Sequence, residues 1–145
     1  MTPFLDLVYF NLHIFHKDDK ILLSWNALMI AAFSMLYRVS GQEVYLEAAK
    51  KAQRFIEENM TEGNRLLAAY RNRKRSKHGF LDDYAFYIAA LTELYRASFE
   101  TEYLERAARL CKEAERRFAD KENSGYYLCE RESTELFMNP KETYD

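Results

Sequence analysis

This chain of 145 residues is predicted to be all-α, assembled from repeated helical hairpins. Three observations carry that prediction. The first is internal repetition: at an offset of 58, residues 27–49 and 85–107 are identical at 12 of 23 positions, including Ala27/Ala85, Ile30/Ile88, Leu36/Leu94, Tyr37/Tyr95, Arg38/Arg96 and Tyr45/Tyr103. Self-similarity at a fixed period marks stacked supersecondary units that bury a continuous core only by leaning on one another. The second is composition, since four Gly and two Pro are too few for a turn-rich β protein. The third is an alternation of helix character along the chain. One helix of each pair is apolar nearly all round and the other has a charged side, as in an inner and an outer layer.

In order, the segment Pro3 to Phe15 is apolar but contains Asp6, lacks a basic start and is too short to span a bilayer, so neither a signal peptide nor a membrane anchor is expected. Ser24 to Tyr37 reads as a helix surrounded by protein. Val44 to Met60 is amphipathic, with Leu46, Ala49, Ala52, Phe55, Ile56 and Met60 at helical spacing. Asn64 to Tyr70 follows the turn signal Glu62-Gly63-Asn64 and is a short extended candidate. The pattern then recurs. Asp83 to Tyr95 is mostly apolar, and Tyr103 to Phe118 is amphipathic through Leu104, Ala107, Ala108, Cys111, Ala114 and Phe118. Gly125 to Cys129 repeats the extended candidate. Short connections at Ser40 to Glu43 and Phe99 to Glu102 make each pair an antiparallel hairpin, so the apolar helices run parallel and start on one rim. They should also be more buried than their amphipathic partners.

The length and the 48% apolar content fit one domain over residues 1–145. A net charge of −2 provides no general field for nucleic acid or an anionic membrane. The basic run Arg71 to Lys77 lacks aromatic interleaving and reads as a solvated loop. Cys111 and Cys129 have neither metal-ligand nor redox spacing, and read as buried free thiols in a reducing, cytoplasmic setting. No metal or cofactor motif is present in the sequence.

Chemistry-bearing residues gather where the apolar helices begin. One cluster is His16, Asp18, Asp19 and Lys20 with Trp25 and Asn26; the other is Gly79-Phe80-Leu81 with Asp82, Asp83 and Tyr84. Lys141 to Asp145 would open a third repeat. Carboxylates at a helix start complement its free N–H groups, so capping alone accounts for Asp82 or Asp83. A rim of carboxylates, a lysine, a histidine and aromatic faces also suits a polyhydroxylated ligand. Paired acids raise a glycosidase reading, for which Asp19 with Asp83 is the better cross-helix pair; a sugar epimerase or isomerase would need a base on one face of the carbon acid and a second group opposite.

The ordered set His16-x-Asp18-Asp19-Lys20-Ile-Leu-x-Ser-Trp25-Asn26, Tyr45-Leu46-x-x-Ala49, Phe80-Leu81-x-Asp83-Tyr84-Ala85, Gly125-Tyr126-Tyr127 and Lys141-Glu142-x-x-Asp145 resembles the helical domain of the YyaL-type, thioredoxin-domain-containing, spermatogenesis-associated protein family. The resemblance implies a partial α/α toroid of the six-hairpin glycosidase kind, of two to two and a half hairpins, with a carbohydrate-related pocket at the clusters above. The family's thioredoxin-like domain has no counterpart in these residues, so no redox role is carried over. The expectation is a helical-toroid protein with carbohydrate-related binding or processing, the isolated chain not being catalytically competent. A helical scaffold for protein partners is the alternative. Uncovered edges of the apolar helices imply self-association or a toroid remainder.

Overall fold

The computed structural model describes residues 20–71, 74–75 and 78–130. The apolar lead segment, the candidates His16, Asp18 and Asp19, and the third-repeat motif at Lys141 to Asp145 lie outside the described residues. Within them the order is β1 (Ile21–Leu22), α1 (Leu23–Ser40), α2 (Glu43–Asn59), β2 (Thr61–Glu62), β3 (Arg65–Leu66), β4 (Ala69–Arg71), β5 (Lys74–Arg75), α3 (Leu81–Ser98) and α4 (Thr101–Phe118). The 58-residue period is reproduced in three dimensions: Leu23 and Leu81 open the inner helices, and Glu43 and Thr101 open the outer ones.

Each hairpin turns on a left-handed residue whose N–H closes the preceding helix: Gly41 (φ 68) donates to the Tyr37 carbonyl at 2.8 Å, and Phe99 (φ 59) donates to the Tyr95 carbonyl at 2.7 Å. Glycine occupies that conformation without penalty, whereas a side chain there crowds its own carbonyl. Phe99 is 75% exposed, and its edge-on contact with Tyr95 offsets only part of this strain. Phe99→Gly is therefore expected to stabilise the protein by about 0.5–1 kcal/mol. Thermal unfolding checks it; a lowered midpoint would mean that the ring contact outweighs the strain.

α1 and α3 pack side by side and parallel, since contacts pair their N-terminal ends and also their C-terminal halves. At one end the Ser24 N–H donates to Asp83 Oδ1; at the other Arg38 pairs with Glu93 Oε2 at 2.6 Å. Arg96 holds the second oxygen of Glu93, also at 2.6 Å, which is how an acid can sit buried between two inner helices. The core runs through Leu23, Ala27 and Ile30 of α1, Ile56 of α2, Tyr84, Tyr87, Leu91 and Leu94 of α3, and Leu110 and Phe118 of α4. Each large side chain buried there contributes about 1.5–3 kcal/mol relative to exposure.

The expected burial order holds in the second hairpin and not in the first. α3 buries eight residues against six in α4, but α1 and α2 bury four each. Among the described elements α1 packs mainly against α2 and α3, and Met29, Met35, Leu36 and Val39 on its far side are exposed. A second correction concerns α4. Its buried stripe is Tyr103, Arg106, Ala107, Leu110, Ala114 and Phe118, so Leu104, Ala108 and Cys111 face outward, and Cys111 is an exposed rather than a buried thiol; Cys129 is half-buried. The stripe is rotated because Arg106, a charged residue, belongs to the interior.

Small strands tie the rim together. β1 pairs antiparallel with β4 in the register Ile21↔Tyr70, and β4 pairs with β5, giving the order β1-β4-β5. β2 and β3 form a separate hairpin over Gly63 (φ 64). Gly125 to Cys129 forms no strand; it is latched by the Ala119↔Tyr126 bridge and by Asp120 N–H to the Gly125 carbonyl. No helix among the described residues is long and apolar enough to cross a membrane.

Candidate functional site at the inner-helix rim

The N-termini of α1 and α3 meet at one carboxylate. α3 has Phe80 at its N-cap, a residue with no side-chain oxygen to accept the first amides, and α1 has Leu22 with the same deficiency. Asp83 serves both helices. Its Oδ2 accepts the Phe80 N–H at 2.9 Å, which is half of a capping box, and its Oδ1 accepts the Ser24 N–H of α1 at 3.1 Å. Gly79 makes this approach feasible, because a Cβ there would stand 3.3 Å from Asp83 Oδ2 and from the Leu66 carbonyl, to which the Gly79 N–H donates at 2.7 Å.

Asp83 is only 4% exposed, and burial pushes its carboxyl up to about 6 against the opposing effect of the Phe80 and Ser24 amides. With both oxygens accepting backbone N–H groups, its role in this arrangement is to anchor the two helix starts. Tyr84, the next residue, is fully buried; its hydroxyl accepts the Leu66 N–H at 3.1 Å and its ring meets Phe118 edge-on at 5.2 Å. It therefore supports the rim from within the core. Asn26 is half-buried and donates through Nδ2 to the Leu22 carbonyl at 2.8 Å, tying down the first turn of α1.

What the rim presents to solvent is a different subset. Trp25 is 70% exposed on the first turn of α1, Phe80 is 48% exposed at the start of α3, and Asp82 and Lys20 are exposed beside them in sequence. Because Trp25 follows Ser24 and Phe80 is bonded to Asp83, the Ser24–Asp83 bond brings the two aromatic positions to the same end of the molecule. The structure thus collects Lys20, Trp25, Asn26, Asp82, Asp83 and Tyr84 at one end, divided between an exposed surface and the support beneath it.

A second polar constellation was not anticipated from the sequence. Arg106, buried on α4, donates through Nε to Glu57 Oε1 at 2.9 Å, through Nη1 to Asn64 Oδ1 at 2.7 Å and through Nη2 to the Gly63 carbonyl at 2.9 Å. The Tyr87 hydroxyl donates to the same Glu57 oxygen at 2.7 Å, and burial together with that acid holds the phenol well above its ordinary range. Beside this network a groove of about 260 Å³ opens between α2 and α4, bordered by Arg54, Arg109, Glu58 and Glu102. Its signal lay in the repeat: Arg106 stands where the first hairpin has Ala48, a charge intruding on an apolar stripe.

No protein-family model matches the chain. Among curated proteins it is 32% identical over 141 residues to spermatogenesis-associated protein 20 of Rattus norvegicus, covering 90% of this chain and 18% of the rat protein. The same name and identity recur in Homo sapiens over 127 residues, 81% of this chain and 16% of that protein. Among solved structures it superposes on cellobiose 2-epimerase of Bacillus thermoamylovorans with a TM-score of 0.70 and 29% identity, covering 77% of this chain and 30% of the enzyme. It also superposes on a sugar epimerase from a ruminal bacterium with a TM-score of 0.69 and 25% identity, covering 77% and 29%. The chain therefore spans under a third of the proteins it matches. The inner and outer helices described above are hairpins of an α/α toroid of the six-hairpin glycosidase-like fold.

Proposed function

Because the chain belongs, as a partial helical toroid domain, to the spermatogenesis-associated protein 20 family, we propose that it contributes a carbohydrate-binding rim to a sugar-processing toroid. The observation that carries this reading is the convergence of two exposed aromatic positions, Trp25 and Phe80, on a rim held by the Ser24–Asp83 bond. The C–H face of a pyranose packs on such rings, while its hydroxyls exchange hydrogen bonds with an exposed carboxylate and ammonium, here Asp82 and Lys20. The sugar epimerases found among its structural neighbours support the same ligand class. On this reading Asp83 and Tyr84 keep the rim in shape and make no contact with the ligand.

Trp25 is the sole tryptophan of the chain, so its fluorescence reports on the rim alone. Titration with cellobiose and a panel of other mono- and disaccharides is expected to give a saturable change in emission for at least one. Calorimetry should then show binding weakened at least tenfold in Trp25→Ala. The absence of saturation with every sugar at tens of millimolar, a range corresponding to free energies weaker than about −3 kcal/mol, would overturn the proposal.

A further inference from the structure

We propose that the groove between α2 and α4 is a binding site for a free amino acid, separate from the rim, with the ligand's ammonium group on the groove floor and its carboxylate on Arg54. The floor and both walls belong to the two described hairpins. Two acceptors on the floor are unused. Gln53 is 8% exposed, and its amide reaches the Tyr87 hydroxyl at 3.5 Å. That hydroxyl donates its own proton to Glu57 Oε1, so only the amide nitrogen of Gln53 can bond to it, and Gln53 Oε1 is left without a donor. Glu57 lies one helical turn further on the same face. Its Oε1 takes the donors of Arg106 and Tyr87, while its Oε2 takes none among the described residues. Among those residues no side-chain oxygen shut off from solvent lacks a partner, so both atoms open outward, and both residues line the groove.

Two neighbouring acceptors, one of them a carboxylate oxygen, suit an ammonium group, whose three donors need partners when it leaves water. A ligand that is only a cation is disfavoured, because Arg54, Arg106 and Arg109 stand around the same opening. Arg54 is exposed and makes no ion pair among the described residues, and Arg109 reaches only Glu105, at 4.0 Å. Both guanidinium groups are therefore open to a carboxylate. A ligand that is only an anion is disfavoured in turn, since Glu58 and Glu102 border the groove and are exposed. A sugar lacks an aromatic platform here, because the rings of Tyr87 and Tyr103 are buried. A small zwitterion satisfies all of these groups. The groove's 260 Å³ or so falls just below the roughly 300–1,000 Å³ that hold drug-sized ligands, which is the scale of a single amino acid.

Calorimetric titration of the chain with each of the common free amino acids at neutral pH is expected to give saturable binding of at least one. Its N-acetyl derivative, which has no ammonium group, and its amide, which has no carboxylate, should each bind at least tenfold more weakly. Arg54→Ala, at an exposed position, should weaken binding at least tenfold and leave the melting temperature unchanged. Gln53→Met, close in volume but without the acceptor, should weaken it as well, with circular dichroism checking the fold. The absence of saturation with every amino acid up to about 10 mM overturns the proposal. So does binding that either blocked derivative retains, or that Arg54→Ala leaves intact. Failure of the sugar titration would leave this result untouched, since Lys20, Trp25, Phe80 and Asp82 do not line the groove.

Discussion

Asp83→Ala is expected to lower stability by about 2–3 kcal/mol, more than the loss of one helix cap. A cap alone is worth about 1 kcal/mol, but the variant also strands the Ser24 N–H of another hairpin, and a part-buried unsatisfied donor costs a further 1–2 kcal/mol or so. Urea unfolding followed by circular dichroism measures it. The effect depends on pH in a defined direction. The folded-state value of Asp83, about 6, lies above its unfolded value of 3.8, so the folded protein binds more protons between the two. Its contribution is fully present below the lower value and is lost as pH rises through the upper one. The wild type should therefore lose stability from about pH 4 to pH 6 through this group, and Asp83→Asn should flatten that slope. An equal slope in both proteins would show that other carboxylates set it.

Arg106→Ala is expected to cost about 2–4 kcal/mol, because one guanidinium joins α4 to α2 and to the β2–β3 turn through three hydrogen bonds. The cost should fall toward the lower figure, since Glu57 is partly exposed and keeps its bond from Tyr87. A double-mutant cycle with Glu57→Gln separates the pair from the rest, and a coupling energy above about 0.5 kcal/mol is expected for groups in direct contact. Additive effects would mean that Arg106 acts through Asn64 and Gly63 alone. Arg106→Met would restore the volume but none of the donors, so it should recover only part of the loss.

Legibility differed by level. The four helices, the two hairpin turns and the common end of α1 and α3 follow from a repeat and an apolar spacing that are complete within the sequence. Gly41 and Phe99 show the limit: connection length places both turns, yet only the backbone reveals that a phenylalanine occupies the glycine conformation. The candidate rim was legible as two clusters at helix starts. Its division was not, because Asp82 and Asp83 are neighbours with the same chemistry, and only the adjacent helix start decides that one is exposed and the other is shared by two N-termini.

The sequence by itself determined the repeating unit, the order of its elements and the end at which polar and aromatic residues collect, because helical periodicity and turn signals act over a few residues of contiguous chain. The tertiary structure alone decided which face of each helix found a neighbour. Arg106 went inward because Glu57, Asn64 and Gly63, 42 to 49 residues away, supply acceptors for its donors. Cys111 was left outside on the same helix, and among the described residues α3 buries eight side chains where α1 buries four. Burial and charge compensation depend on what stands within a few ångströms in space, and that distance is set by packing between hairpins rather than by spacing along the chain.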